Sequence, residues 1–177
     1  RNHNVKKLIH SSTASSYGNP IYIPIDENHP QNPINSYGES KYLFERILKW
    51  YQKAYGLDAV IFRYFNVGAC SASLLNGERR KEETRLLPTI MRCILENKTL
   101  QIYGSDYDTK DGTTIRDYLH VIDVAEAHVL AMEKFDTVKN VQQFLAAQGV
   151  TTFADSYFKG SVIQIPVKDS IFKLPIN

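Results

Sequence analysis

Cysteine, methionine and tryptophan are all scarce in this 177-residue chain, with two, two and one respectively. Cys70 and Cys93 exclude a disulfide-stapled scaffold, fit a reducing compartment, and are too isolated to build a metal site. Neither sign of charge is in excess. Twenty-one Lys and Arg face 19 Asp and Glu, a net of +2, too little to argue for nucleic acid or an anionic membrane as partner. No apolar run approaches the ~18 residues of a membrane span. Arg1 opens no signal-peptide pattern, so a soluble, cytoplasmic protein is expected. The nine glycines are scattered, and no two stand three apart. With 43% hydrophobic and 23% charged residues, the composition is that of a globular domain and excludes disorder and fibrous repeats. There is no internal repeat or low-complexity tract. A mass of 20.2 kDa predicts one domain, or one domain and part of another, able to bury roughly 70% of its unfolded surface without a staple.

What is present is a strand–helix rhythm. Val5 to Ser12 is a short apolar run ending in hydroxyls, the pattern of a buried strand running into a polar loop. Pro20, Pro24, Pro30 and Pro33 forbid a long helix between Gly18 and Asn35. Ser36 to Tyr55 then carries Leu43, Phe44, Ile47, Leu48, Tyr51 and Tyr55 at helical spacing, with Gly56 placed to cap it. Ala59 to Phe65 is a second apolar run, so strand, long helix and strand predict a βαβ crossover in a parallel sheet. Further on, Leu86–Glu96 and 123–135 predict helices, the latter with an Asp123–Glu126 capping box. Leu100–Tyr103 and Ile115–Val121 predict short strands, separated by charged, Gly-containing loops. Beyond Lys139 the signals weaken: Val141–Ala147 predicts a helix and Val162–Val167 a strand.

Chemistry concentrates at the strand ends and at the start of the long helix. Tyr37 and Lys41 form a Y-x-x-x-K pair on one helical face. A neighbouring ammonium favours the phenolate of a tyrosine, making it a usable base toward a sugar hydroxyl. A chain with 11 Tyr and 13 Lys supplies about one such pair by chance, so the pair gains meaning only from its context. That context is Ser11-Ser12-Thr13, at the C-terminal end of the preceding strand, where ligands collect in parallel α/β sheets. The same hydroxyls also suit a turn or an N-cap. Arg63-Tyr64-Phe65-Asn66 closes the next strand at the same edge, where Asn66 suits a phosphate, a sugar or plain turn chemistry. Arg116 offers a rigid guanidinium fork to a diphosphate, or a surface salt bridge to Asp117 or Asp123.

Four strings, SSTASSYGNP (11–20), NSYGESK (35–41), RYFN (63–66) and YGSDYDTKDGTTIRDYLHVIDVAEAH (103–128), resemble the extended short-chain dehydrogenase/reductase superfamily. Within it they resemble the UDP-glucose 4-epimerase family of galactose metabolism, over about Val5 to Phe135. The resemblance implies NAD as cofactor and a UDP-sugar as substrate, with hydride leaving and returning at sugar C4 through a 4-keto intermediate. It implies Tyr37 as base, Lys41 on the nicotinamide ribose, and Thr13 on the sugar O4. Ser11, Ser12, Tyr64 and Phe65 would border the cofactor. Asn66 and Arg116 would meet the diphosphate, Arg85 the nucleotide sugar, and Leu100, Gln101, Ile102 and Tyr103 the uracil. Sister dehydratases carry Asp-Glu after the threonine to eliminate water; here Ala14-Ser15 follows, which speaks for epimerisation. The family's helix at about 36–55 packs on its copy, which implies a homodimer; a thick domain core is the alternative for that apolar face.

The departures shape the remaining expectations. No G-x-x-G-x-x-G occurs, so the turn presenting N–H groups to the dinucleotide pyrophosphate is not among these residues, nor is the acidic residue for the adenosine ribose. RYFN-Val67-Gly68-Ala69 is one residue shorter than the family's pattern, and Arg85 stands where Asn or His is usual. The expected fold is therefore α/β, the C-terminal half of a doubly wound Rossmann-type domain (1–68). Nucleotide-sugar segments and a returning helix follow (69–137), then an unassigned tail (138–177). Such a chain is expected to begin part-way through the fold and to have little activity alone. Epimerisation of another UDP-sugar, an N-acetylhexosamine or a pentose, and a non-catalytic binding remnant are the other readings.

Overall fold

The computed structural model describes residues 2–78, 80–137 and 141–146. Its strands and helices are β1 (Lys7–Thr13), α1 (Ser36–Tyr55), β2 (Asp58–Tyr64), β3 (Asn66–Gly68), α2 (Leu86–Leu95), β4 (Tyr118–His120), α3 (Val121–Glu133) and β5 (Val141–Ala146). Two 3-10 turns, Ala14–Ser16 and Phe135–Thr137, complete the order.

β1, β2 and β5 form a parallel sheet in that order, with Lys7 opposite Asp58 and Thr13 opposite Tyr64. Parallel neighbours need a long crossover, and α1 supplies it between β1 and β2. β3 and β4 make a separate parallel pair, Asn66 opposite Tyr118.

Strand alternation divides the core between the two faces of the sheet. Ala59 and Ile61 point to one face and pack with Leu8, Leu57 and Leu48 of α1. Val60 and Phe62 point to the other and pack with Ile9, Phe135 and Ala127 and Ala131 of α3. Helix, sheet and helix thus form three layers. Full burial of each large side chain is worth about 1.5–3 kcal/mol, which explains why β2, sandwiched on both faces, is the most apolar strand.

Several expectations are corrected. Leu100–Tyr103 forms no strand, and the strand expected at Ile115–Val121 shrinks to Tyr118–His120. That strand runs straight into α3, so His120 caps the helix, its Nδ1 accepting from the Ile122 N–H at 3.2 Å. Asp123 therefore lies in the first turn and forms no capping box with Glu126. Val141–Ala146 is a strand, not a helix, because β2 offers it a full backbone ladder and tertiary pairing overrides a weak local preference. The strand expected at Val162–Val167 lies outside the described residues. By contrast α1 spans the residues expected of it, and Gly56 ends it at a φ of 64°.

The apolar stripe of α1 is not consumed by this core. Gly38, Glu45 and Leu48 are its buried residues, whereas Leu43, Trp50, Tyr51 and Tyr55 are exposed. The thick-core alternative for this face therefore does not hold among the described residues. No helix among them is long and apolar enough to cross a membrane.

Candidate functional site

The candidate site lies at the C-terminal edge of β1 and β2, under the first turns of α1. The Asn35 side chain accepts from the Gly38 N–H at 2.8 Å, capping α1 and fixing where its first turn begins. Tyr37 is 55% exposed. One turn on, the Lys41 ammonium donates to the Ser11 carbonyl at 2.9 Å and lies 5.9 Å from the Tyr37 ring centroid. The lysine thus ties the helix carrying the phenol to the end of β1. Gly38 makes a close approach possible: a Cβ there would sit 2.5 Å from the Ser15 carbonyl oxygen. The turn following Thr13 therefore packs directly on the helix next to Tyr37. Thr13 is buried, and its Oγ1 accepts from the Ser15 N–H at 3.1 Å. The N-cap reading of that hydroxyl is realised, and the hydroxyl keeps its own proton to donate.

Ser11 and Ser12 part company, as alternation on a strand requires. Ser12 is buried toward α1 and donates to Glu45, so its hydroxyl is committed to the interior. Ser11 faces α3, where its Oγ lies 3.4 Å from the Tyr64 hydroxyl and 3.3 Å from His128 Nε2. His128 Nδ1 donates to the Val124 carbonyl at 2.8 Å, leaving Nε2 to accept from the Tyr64 hydroxyl at 2.9 Å. Burial raises the Tyr64 phenol above its ordinary value, with the Ser11 hydrogen bond opposing; Tyr64 is a neutral donor at pH 7. Phe65, just past β2, is half-buried.

Glu45 and Arg63 lie beneath this edge. Arg63 Nη2 and Nε reach the two Glu45 oxygens at 2.7 and 3.2 Å, and both side chains are 1% exposed. Arg63 also donates to the Tyr17 hydroxyl at 2.7 Å, and Gln31 donates to Glu45 at 3.1 Å. Burial pushes the Glu45 carboxyl up. The Arg63 hydrogen bonds and charge, with the Ser12 and Gln31 hydrogen bonds, outweigh it and hold the group below its ordinary value.

Asn66 and Arg116 are brought together by backbone pairing. The Asn66 amide donates to the Asp117 carbonyl at 2.9 Å, which leaves its second N–H available. Arg116 is exposed and forms no salt bridge to Asp117 or Asp123 among the described residues. Arg85 precedes α2 and pairs with Glu78 at 3.2 Å. Both line a cleft of about 410 Å³ walled by Val67, Cys70, Val121 and Ile122. Leu100, Gln101, Ile102 and Tyr103 are not among its lining residues. Ile102 and Tyr103 are exposed, and the Tyr103 hydroxyl donates locally, to Gln101 at 3.0 Å. No His, Cys, Asp or Glu grouping suited to a metal occurs among the described residues.

Sequence reasoning missed Glu45, and saw Gly38, Arg63 and His128 only as parts of strings. Signals existed: a carboxylate on the buried side of an amphipathic helix, and an arginine ending an Ala-Val-Ile-Phe strand. Each is improbable inside a core unless paired.

A parallel, Rossmann-type α/β layer with a Ser-Ser-Thr strand end and a Tyr-x-x-x-Lys helix beside it defines the class of the short-chain dehydrogenases and reductases. The chain belongs to the NAD dependent epimerase/dehydratase family, whose family model matches residues 1–147. It is 49% identical over 133 residues to a UDP-glucose 4-epimerase of Lacticaseibacillus casei, covering 75% of this chain and 40% of that protein. The Brucella ovis UDP-glucose 4-epimerase, solved in complex with NAD, is 41% identical with a TM-score of 0.76, covering 82% of this chain and 45% of that one. For the Bifidobacterium longum enzyme, solved with NAD+ and UDP, the values are 39%, 0.78, 84% and 45%. The chain therefore spans about 40% of the length of the curated relatives it matches.

Proposed function

We propose that this chain carries the proton-transfer half of a UDP-glucose/UDP-galactose 4-epimerase site, working in the cytoplasm. The observation that carries the reading is the Lys41 bridge from α1 to the Ser11 carbonyl. It sets an ammonium 5.9 Å from the Tyr37 ring centroid and against the strand end that bears Thr13. Tyr37 takes the proton from the sugar O4 hydroxyl and later returns it, with the Lys41 ammonium beside its ring. Thr13 donates its remaining proton to the same oxygen. Asn66, Arg116 and Arg85 hold the diphosphate and sugar through N–H donors, which suits segments 69–137 to the nucleotide-sugar side of the site.

The residues present fit the nicotinamide end of NAD. Lys41 meets the Ser11 carbonyl at the end of β1, the Ser11 and Tyr64 hydroxyls meet on the α3 side of the same edge, and Tyr37 and Phe65 lie beside it. Bound there, the cofactor supplies the acceptor and donor of hydride at sugar C4. The glycine turn for the pyrophosphate is not among the 177 residues, and the same backbone contacts cannot come from scattered glycines. The 177 residues alone are therefore expected to turn over at background. In a coupled assay of UDP-galactose conversion with NAD+ added, they should match a Tyr37→Phe control, and turnover above it would refute this. Calorimetry should show weak binding of UDP that Arg116→Ala removes. Heat from neither UDP nor NAD+ would support a non-catalytic remnant instead.

We also propose that α1 packs on its copy in a second chain. Trp50, Tyr51, Tyr55 and Leu43 are aromatic and apolar groups of the kind that anchor interfaces. Sedimentation at micromolar concentration should show a species of twice 20.2 kDa; a monomer alone would remove the proposal.

A further inference from the structure

We infer that Glu45 is a positioning residue of this site, one buried carboxylate setting the mutual placement of the three elements that carry its chemistry. The inference rests on the reading of the site given above. Glu45 lies four residues after Lys41 and eight after Tyr37, on the same side of α1. Its oxygens accept from Ser12, which immediately precedes Thr13, and from Arg63, which immediately precedes Tyr64. They also accept from Gln31, in the loop that leads to the Asn35 cap. Thr13 and Tyr64 are thus each one residue from a group bonded to this carboxylate, and Lys41 and Tyr37 stand one and two helical turns from the carboxylate itself.

Stability alone does not account for this arrangement. Lower on the same sheet face, Leu8, Ala59, Ile61 and Leu48 make an ordinary apolar contact, and His10, between Leu8 and Ser12, packs on Phe44 of α1. The face turns polar from His10 onward, and the bonded set of Ser12, Arg63 and Glu45 stands at the edge where Tyr37 and Lys41 lie. Two buried charges are costly to desolvate, and apolar residues of similar volume hold layers together as well or better. A fully bonded polar network supplies direction, because each hydrogen bond accepts only a narrow range of geometry. Ser12 sets the height of the β1 end against α1, and Arg63 does the same for β2.

The test uses the full chain without ligand. Ser12→Ala removes one donor and leaves the Glu45–Arg63 pair intact; Gln31→Ala does the same from the loop side and guards against misfolding of the first. In either variant the Ser15 and Tyr17 amides should exchange about tenfold faster, while Val60 and Ile61 in the strand ladder change less than twofold. The Tyr37 ring resonances, assigned with Tyr37→Phe, should move while those of Tyr55 at the far end of α1 stay. Ser12→Thr, which keeps the hydroxyl, should restore both readouts. Uniform acceleration of all protected amides, or unmoved Tyr37 resonances in both folded variants, would overturn the inference. Because no nucleotide is present, failure to bind UDP would count against the functional reading and not against this one.

Discussion

Glu45→Ala should lower the unfolding free energy by about 3–5 kcal/mol, because it leaves the buried Arg63 guanidinium without its anion. Both groups lie inside the protein, so water does not screen or replace the lost partner. In a domain of this size that corresponds to a fall in melting temperature of roughly 6–20 °C. Urea unfolding at unchanged slope is the measurement. The double variant Glu45→Leu/Arg63→Met should recover most of the loss, since it removes both charges together; a double variant as weak as the single would mean that the pair itself was not the source. The pH dependence follows from the same bonds. Net, the Glu45 carboxyl is held below its ordinary value in the folded chain, so the unfolded chain binds the proton more readily. The stabilisation is fully present above the ordinary glutamate value of about 4.3. It is lost as pH falls through the depressed folded value. Stability measured from pH 6 down to 3 should decline, and Glu45→Gln should lack that part of the slope.

Gly18→Ala should cost roughly 2–5 kcal/mol, by two separable effects. Gly18 has a φ of 70°, a left-handed backbone that costs an L-residue about 1–2 kcal/mol. A Cβ there would also fall 1.9 Å from the Asn32 carbonyl oxygen, and relieving such overpacking costs about 1–3 kcal/mol more. The segment that must move is loop backbone, not the tip of a flexible side chain. Its displacement reaches the site, because residues 30–35 lead into the Asn35 cap of α1. Gly56→Ala is the matched comparison: its φ is 64°, but no atom lies within 4 Å of the added Cβ. It should show the backbone cost alone. Equal melting shifts for the two variants would show that the Asn32 contact carries no weight.

The elements read correctly from the chain are those whose signals are local and repeated. α1 was visible from apolar spacing and a terminal glycine; β1 and β2 from apolar runs bounded by hydroxyls or turn residues. Tyr37, Lys41, Thr13 and Tyr64 were visible because the strings around them match a family, and the sheet edge brings these four into one region. The short or paired elements were misread. β5 looked helical because Val141–Ala146 has no strong preference of its own and takes its form from β2. The Asp123–Glu126 pair had the spacing of a capping box, yet β4 enters α3 three residues earlier and gives the cap to His120.

Spacing along one chain fixes which residues share a helical face or a strand face, because those periods are set by covalent geometry. It therefore settled the parallel α/β class and the Tyr37–Lys41 juxtaposition. Pairing across the fold has no such period. That Ser12, Arg63 and Gln31 would meet on Glu45, and that Ser11 would meet Tyr64 and His128, depended on layers stacking at one particular height. Only the packed molecule fixes that height, since it is determined by contacts between residues up to 129 positions apart.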